Sequence, residues 1–334
     1  MSDAPAWLAE LLACPRCRAP VEREGRVHRC PGCGHAYPER FGILDFRLEP
    51  DPYIGIREEE AKVRRLLAGA EGAGWRELVA RYYAMTPENP PELHRRYVGA
   101  LERSVARGAG LVDRLTRRFP ESGAGAFLDL GCGTAGLAGA AAGRWSRVVG
   151  VDVALRWLVI GRQRLVEEGV RAPLLLANAE ALPFRRGVFD AVCADGVLEH
   201  VRRSEAMMDE AIRVLAPGGA FLLTTNNRYS LLPEPHVRLW GFGFLPRRWM
   251  EPVARRLRRT PYRARLHGRS ELRRLVGGRG RIVVPGFAPG ELGPEREPVR
   301  RIWELLRRFP PTRALLFRFG PIFYVEGRKP PSQS

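Results

Sequence analysis

Lysine is nearly missing from this chain: of its 55 basic residues, only Lys62 and Lys329 are not arginine. The excess over 37 acidic residues gives a formal net charge of +18, a balance that invites a polyanionic partner. Arginine standing for lysine almost everywhere fits a coding bias and a solvated basic surface equally well. The charge therefore admits RNA or an anionic membrane surface as partners and selects neither. Long apolar runs are also absent. Nowhere do ~18 apolar residues follow one another, and the nearest approach, "RALLFRFGPIFYV", is broken by Arg318 and Pro321. No transmembrane segment is expected. The opening "MSDAPAWLAELLACP" has no basic start and no long apolar run before Cys14. It does not read as a secretory leader, and the expected location is cytoplasmic. Internal repeats and low-complexity segments are lacking too. What remains, 334 residues with 45% hydrophobic and 28% charged, is a globular composition with length for two domains.

The few cysteines are concentrated. "CPRCRAPVEREGRVHRCPGCG" holds Cys14 and Cys17 in one CxxC and Cys30 and Cys33 in another, with twelve residues between the pairs. Each CxxC turn brings two thiolates to one side, and two such turns facing across a hairpin give tetrahedral S4 ligation suited to Zn2+. A cytoplasmic chain disfavours the alternative of two disulfides, and iron remains open on ligand type. A closed S4 shell is structural rather than catalytic, and it folds a segment too small for its own core. His28 and His35 are then surface residues. With "AYPERFGILDF" after it, the segment 8–48 resembles the small zinc-ribbon proteins that activate tRNA and release-factor methyltransferases. Related ribbons occur fused in front of methyltransferase domains.

From 51 to about 120 no strand pattern appears. Leu93, Tyr97, Leu101, Val105, Val112, Leu115 and Phe119 recur at helical spacing, which predicts amphipathic helices interrupted near the "GAG" at 108–110. Tyr82, Tyr83 and Tyr97 fit a helix core better than a binding site. "TPENPPE" at 86–92 reads as a turn and hinge.

From residue 126 apolar strands alternate with helices: "AFLDLG", "RVVGVDV", "APLLLANA", "FDAVCADGV" and "AFLLTTNN". This pattern predicts a doubly wound α/β domain of Rossmann-like type, its mostly parallel sheet covered on both faces. "PIFYVEG" near the end would add an antiparallel edge strand. Ligand then sits at the carboxyl ends of the strands, around the switch point. Gly131, Gly133 and Gly136 satisfy GxGxxG, with Asp152 nineteen residues after Gly133. That much suits NAD as well as S-adenosyl-L-methionine. Asp129, two residues before the first glycine, tips the balance: a carboxylate there repels a pyrophosphate but suits a coenzyme carrying an ammonium and a sulfonium.

"LDLGCGT", "NAEALPF", "FDAVCADGVLEHV" and "RVLAPGGAFLLTT" follow in order, and over 126–226 the chain resembles the class I S-adenosylmethionine-dependent methyltransferases of the group acting on small molecules, lipids and sugars. The resemblance implies that Asp129, Gly131 and Gly133 lie against the methionine part and Asp152 against the ribose. It places Asn178 and Ala179 by the adenine edge and Asp195 facing the methyl group or the substrate. Cys132, packed as a small apolar group in the loop, and Val153 complete the cofactor-binding set. Asn178 stands where the group usually has Asp; it can still accept from an adenine amino group. Ala135 replaces a frequent Gly and fits only if its φ is negative.

Methyl transfer needs alignment above all, with a general base where the nucleophile is a hydroxyl. His200, after Glu199 in "LEHV", stands where substrate approaches and is the candidate base, with a locally satisfied helix-start residue as the alternative. Asp195 is the second candidate catalytic residue, and His236 a further candidate base. Residues 228–268 form an insertion mixing Trp240, Phe242, Phe244 and Trp249 with Arg238, Arg247 and Arg248, suited to covering an acceptor or to packing as a lid. The expected organisation is a zinc ribbon at 1–50, a helical connector or cap at 51–120, and the methyltransferase domain at 121–334. The function expected is methyl transfer to a small-molecule, lipid or saccharide acceptor. RNA methylation is the alternative, since the fused ribbon also resembles the layout of a bacterial ribosomal-RNA guanine methyltransferase. Against it, "DGVLEH" stands where base-methylating enzymes carry an "NPPY"-type motif. A non-enzymatic ribbon adaptor is the third reading.

Overall fold

In the computed structural model, which describes residues 5–86, 91–283 and 297–331, α1 (Ala6–Leu11) leads into four short antiparallel strands. These are β1 (Glu22–Glu24), β2 (Val27–Arg29), β3 (Ala36–Arg40) and β4 (Ile43–Leu44). Arg18 and Gly34 each follow a CxxC pair, and both take the left-handed conformation, with φ 69° and 71°. Glycine does so freely, arginine at a cost. Arg18 is held there by a bidentate pair with Glu210 at 2.9 and 3.1 Å and by the carbonyl of Leu182 at 3.0 Å. The ribbon has no separate core. Leu8, Leu11, Tyr37 and Phe46 pack in one cluster with Leu128, Val151 and Phe184, and Leu12 pairs with Phe184 through the backbone.

The connector is helical, as its periodicity predicts: α2 (Ile56–Leu67), α3 (Trp75–Ala84), α4 (Pro91–Glu102) and α5 (Ser104–Arg118). The break falls at Arg103 rather than near "GAG", and α5 runs straight through Gly108. The reason is close packing. A Cβ on Gly108 would stand 2.8 Å from the Leu137 Cα of α6 (Gly136–Ala141). Tyr82 and Tyr83 are buried with Trp75, and Tyr97 packs against them. Residues 87–90 of the expected hinge, and the side chain of Leu93, lie outside the described residues.

The main sheet begins with β5 (Ala126–Leu130) and continues through β6 (Arg147–Asp152), β7 (Leu174–Leu176), β8 (Phe189–Asp195) and β9 (Leu215–Asn226), with α7 (Leu155–Glu167) and α8 (Ser204–Val214) among the crossovers. After α9 (Arg247–Arg258) and α10 (Arg269–Val276) come β10 (Gly280–Val283), α11 (Glu297–Arg308), α12 (Pro310–Phe319) and β11 (Ile322–Arg328). Strand order is β10-β11-β9-β8-β5-β6-β7. β5 pairs in parallel with both β6 and β8, so the winding reverses there and leaves a crevice at the strands' carboxyl ends. This is the expected Rossmann-like class. One detail corrects the sequence reading: β11 is antiparallel to β9 but is not the edge, because β10 pairs outside it. β10, "GRIV", is half exposed and offers no apolar run to read.

Residues 228–268 close on themselves. Val237, Phe242, Met250, Ala254 and Tyr262 make a small core of their own, and the segment returns to the sheet where His267 bridges Asn227. Among the described residues no helix is long and apolar enough to cross a membrane.

Between β4 and α2, residues 45–53 form a strap along the top of the sheet. Asp45 bridges Leu176 in parallel, and Phe46 N–H donates to Leu176 O at 2.7 Å. Buried charges fix it. Arg47 donates to Asp45 at 2.8 and 2.9 Å, to Glu59 at 2.8 Å and to Val153 O at 2.9 Å. Arg156 of α7 donates to Asp51 at 2.8 Å and Glu59 at 2.7 Å. The side chains of Arg47 and Glu59 are each 1% exposed. Removing one partner of such a set strands the others in low dielectric. Arg47→Leu is therefore expected to lower unfolding free energy by about 3–5 kcal/mol, read from urea denaturation.

Candidate active site

A cavity of about 320 Å³ opens at the carboxyl ends of β5, β6 and β8, within the size range of small-ligand sites. Gly131 and Gly133 reach it from the first loop, Asp152 and Val153 from the second, Asn178 and Ala179 from the third, and Asp195 and His200 from beyond β8. Tyr53 of the strap closes one side.

The loop after β5 needs its glycines. Gly131 has φ 76°, and a Cβ there would lie 2.3 Å from Val197 Cγ2. Gly133 has φ 50°, and its N–H donates to Asp152 Oδ2 at 2.9 Å. Ala135 overturns the expectation of a negative φ. It sits at φ 59° as the N-cap of α6, a conformation costing an L-residue roughly 1–2 kcal/mol.

Asp129 and Cys132 are not where the sequence reading put them. Asp129 is 1% exposed and does not line the cavity. Its Oδ2 accepts the Ala138 N–H at 2.8 Å, satisfying an otherwise orphan donor in the first turn of α6. Burial pushes its carboxyl well above the usual carboxylate range, and Asp195 and Asp152 add to the rise. Asp129 therefore serves the start of α6 and stands behind the cavity wall. Cys132 is likewise buried; Gly150 leaves room for its sulfur, which stands 2.9 Å from where a Cβ would be.

Four other carboxylates line the cavity: Asp51, already paired with Arg156, Glu180, and the strand-end pair Asp152 and Asp195. Asp152 accepts N–H groups of Gly133 and Ala154 through separate oxygens, and burial raises its pKa against the pull of those bonds. Each oxygen keeps a second lone pair for a ligand hydroxyl. Asp195 Oδ1 accepts from Arg107 and Thr224, both at 2.5 Å. Asn178 lines the cavity, but its amide oxygen is committed and one N–H of its nitrogen is used. Its oxygen accepts from the N–H groups of Leu48 and Glu49 at 2.8 and 3.1 Å, while its nitrogen donates to Glu49 O at 3.0 Å. With both lone pairs of that oxygen engaged, neither is left for an adenine amino group, the role expected of it. An aspartate could not also donate to Glu49 O, which gives a structural reason for Asn here.

His200 stands in a chain of polar contacts. Its Nδ1 is 2.8 Å from the Tyr53 hydroxyl, and its Nε2 is 3.2 Å from His236 Nε2. His236 Nδ1 lies 2.5 Å from Glu234 Oε1, which also accepts from the Tyr262 hydroxyl at 3.2 Å. Burial lowers the His200 pKa, and neighbouring His236 lowers it further. For His236 burial also disfavours charge, but the Glu234 hydrogen bond outweighs it and raises the pKa. The carboxylate fixes the tautomers. When His236 is neutral, its Nδ1–H donates to Glu234 and its Nε2 accepts from His200 Nε2–H. His200 Nδ1 is then a lone pair facing Tyr53. His236 was legible as a candidate. Tyr53, Glu234 and Arg107 were not, since each reaches the site from a distant segment without a motif of its own.

The four ribbon cysteines come together. Their sulfurs all lie within 4.8 Å of one another, with Cys14 and Cys33 at 3.7 Å and Cys17 and Cys30 at 3.3 Å. A tetrahedron of metal–sulfur bonds of about 2.3 Å has edges of about 3.8 Å, so the donor set and spacing fit zinc. Cys14 also meets the buried Tyr37 hydroxyl at 3.0 Å, a contact of the kind that orients a ligand sulfur. His28 and His35 are half-buried, not surface residues, because both pack edge-on against rings, Phe46 and Tyr37.

Comparison with known proteins agrees with the sheet. Residues 128–223 match the family model described as "Methyltransferase domain". The chain is 34% identical over 126 residues to the "Ubiquinone/menaquinone biosynthesis C-methyltransferase UbiE" of Chromobacterium violaceum, covering 36% of this chain and 50% of that protein. The protein of the same description from Laribacter hongkongensis is 32% identical over 150 residues, covering 41% and 60%. The chain thus spans about half the length of the curated relatives it matches. YcgJ of Bacillus subtilis superposes at 19% identity over 66% of this chain and 98% of that one, with a TM-score of 0.44. From the Asn178 geometry, Asn178→Asp is expected to cost about 0.5–1.5 kcal/mol through loss of the hydrogen bond to the Glu49 carbonyl, read from urea denaturation.

Proposed function

We propose, from the class I methyltransferase domain that residues 128–223 carry, that this protein transfers a methyl group from S-adenosyl-L-methionine to a small-molecule acceptor, with a polar lipid or saccharide within the class. The observation that carries the reading is one cavity lined by the glycine loop, Asp152, Asp195, Tyr53 and His200, with the His236–Glu234 pair bonded to His200 from behind. Gly131 and Gly133 give a bulky coenzyme close approach to backbone, Asp152 suits ribose hydroxyls, and Asp195 gives the cavity a carboxylate beside a cationic ligand. When bound, the coenzyme supplies a methyl carbon already activated for displacement. The chain's own part is to align the acceptor and take its proton.

Proton removal falls to His200 in this reading. An acceptor whose attacking atom is a hydroxyl oxygen, or a carbon made acidic by one, hydrogen-bonds to Tyr53. Tyr53 passes the proton to His200 Nδ1, and the positive charge formed is stabilised through His236 by Glu234. The relatives' role as C-methyltransferases of ubiquinone and menaquinone biosynthesis makes a ring-bearing acceptor with an acidic hydroxyl the first to test. Asp195 holds a positioning role, tethered as it is by Arg107 and Thr224.

In the same reading residues 1–50 bind one structural Zn2+ through Cys14, Cys17, Cys30 and Cys33. Residues 51–120 cap the domain formed by 121–334. A reducing compartment such as the cytoplasm keeps the four thiols available for metal.

Calorimetry is expected to show S-adenosylhomocysteine binding and no NAD binding; the reverse overturns the proposal. Label from methyl-labelled coenzyme should enter an organic extract of lysate and not RNA. Tyr53→Phe and His236→Ala are each expected to lower kcat by about 10²–10⁴-fold with coenzyme affinity kept. The rate should fall as pH drops through the His200 pKa, which lies below the ordinary imidazole value of 6.5, because only neutral His200 accepts the proton. Elemental analysis should find one zinc per chain. Its removal by chelator should expose the face of the sheet beneath Tyr37 and Phe46, seen as increased dye binding and a lower Tm.

A further inference from the structure

The segment "EPVRRIWELLRRF", residues 297–309, is the most strongly two-faced stretch in the chain. At 100° per residue, Val299, Ile302, Leu305 and Phe309 share one side, and Arg300, Arg301, Arg307 and Arg308 the other. In a helix docked on a core the apolar side would be inside. Here it is not. Val299 is 56% exposed, Ile302 58%, Leu305 53% and Phe309 55%, and no residue of α11 or α12 is buried. α11 leans on α12 through Trp303, whose ring lies 2.9 Å from where a Cβ on Gly320 would stand. The apolar strip points elsewhere. The end of α12 brings in more exposed apolar surface: Leu231 N–H donates to Phe319 O at 3.1 Å, and Leu231 and Leu232 are 55% and 50% exposed.

Charge selects the occupant. α11 and α12 hold six arginines against Glu297 and Glu304, a net +4 in two short helices. Pairing two copies through this face would crowd like charges together. A phosphate backbone would satisfy the arginines but leave four aliphatic and aromatic side chains without a role. An apolar strip flanked by arginines matches a bilayer surface, with the strip entering the acyl boundary and the guanidinium groups at anionic headgroups. We propose that α11, α12 and the adjoining Leu231–Leu232 turn dock this protein on anionic lipid membrane. Methyl transfer is not needed for this to hold.

The test uses full-length protein sedimented with phosphatidylcholine vesicles, with and without phosphatidylglycerol. Binding is expected only to the anionic vesicles and to weaken with salt. Ile302→Glu with Leu305→Glu should reduce partitioning roughly tenfold or more. Arg301→Gln with Arg308→Gln should reduce it about fivefold for each charge removed. All these positions are on the surface, so unfolding curves should match the parent protein. Equal binding to both vesicle types, no binding, or unchanged binding by the Ile302→Glu, Leu305→Glu protein overturns the proposal. So does a parent protein that sediments as a dimer without lipid while that variant is a monomer, or RNA binding that the variant loses.

Discussion

A strap of nine residues, 45–53, forms one wall of the ligand cavity, and it stays there because charges are buried beneath it. Arg47 and Arg156 sit among Asp45, Asp51 and Glu59, and nearly every member is withdrawn from water. Burying that many ions is costly, and an apolar substitute of the same volume could be more stable. What the ions provide is direction. Arg47 reaches the carbonyl of Val153 directly beside Asp152, so the position of the strap is keyed to the strand end that carries a cavity carboxylate. Asn178 repeats this on the far side by clamping Leu48 and Glu49. Backbone that would otherwise be a loose connection is thus registered against two strand ends.

The carboxylates at the top of the sheet divide their work by burial. Asp129, furthest in, satisfies a helix N-terminus and lies behind the cavity wall. Asp152 sits between, bonded to two backbone amides and still at the cavity wall. Asp195, the most exposed, is balanced by an arginine from the connector. Three acidic groups at neighbouring strand ends repel one another, and the raised Asp129 carboxyl reflects that alongside its desolvation. The sheet tolerates them because each has its own hydrogen-bond donors.

Local order made much of this legible in the chain. Apolar runs at β5, β6, β8 and β9 and the glycines at 131 and 133 announce a doubly wound sheet with a tight first turn. The paired CxxC spacing announces four convergent sulfurs. The harder features depend on long-range contact. The amide of Asn178 points to a partner 129 or 130 residues away, so its commitment to the strap leaves no trace in its own neighbourhood. Gly108 resembles a helix break until the neighbouring helix is seen against it. The charge of Asp129 is visible in the sequence, whereas its burial, which decides what it does, is not. Ala135 shows the same limit for backbone conformation, since tertiary packing holds it where propensity would not.

His200 is contacted from two sides, by Tyr53 and by His236, and neither lies within the stretch 128–223 that matches other methyltransferase domains. The contacts that set His200 therefore come from segments outside the matched stretch, while the donor-binding loops lie within it. Drift or exchange in the strap and the insertion could retarget such an enzyme to a new compound while the inherited donor-binding loops stayed fixed.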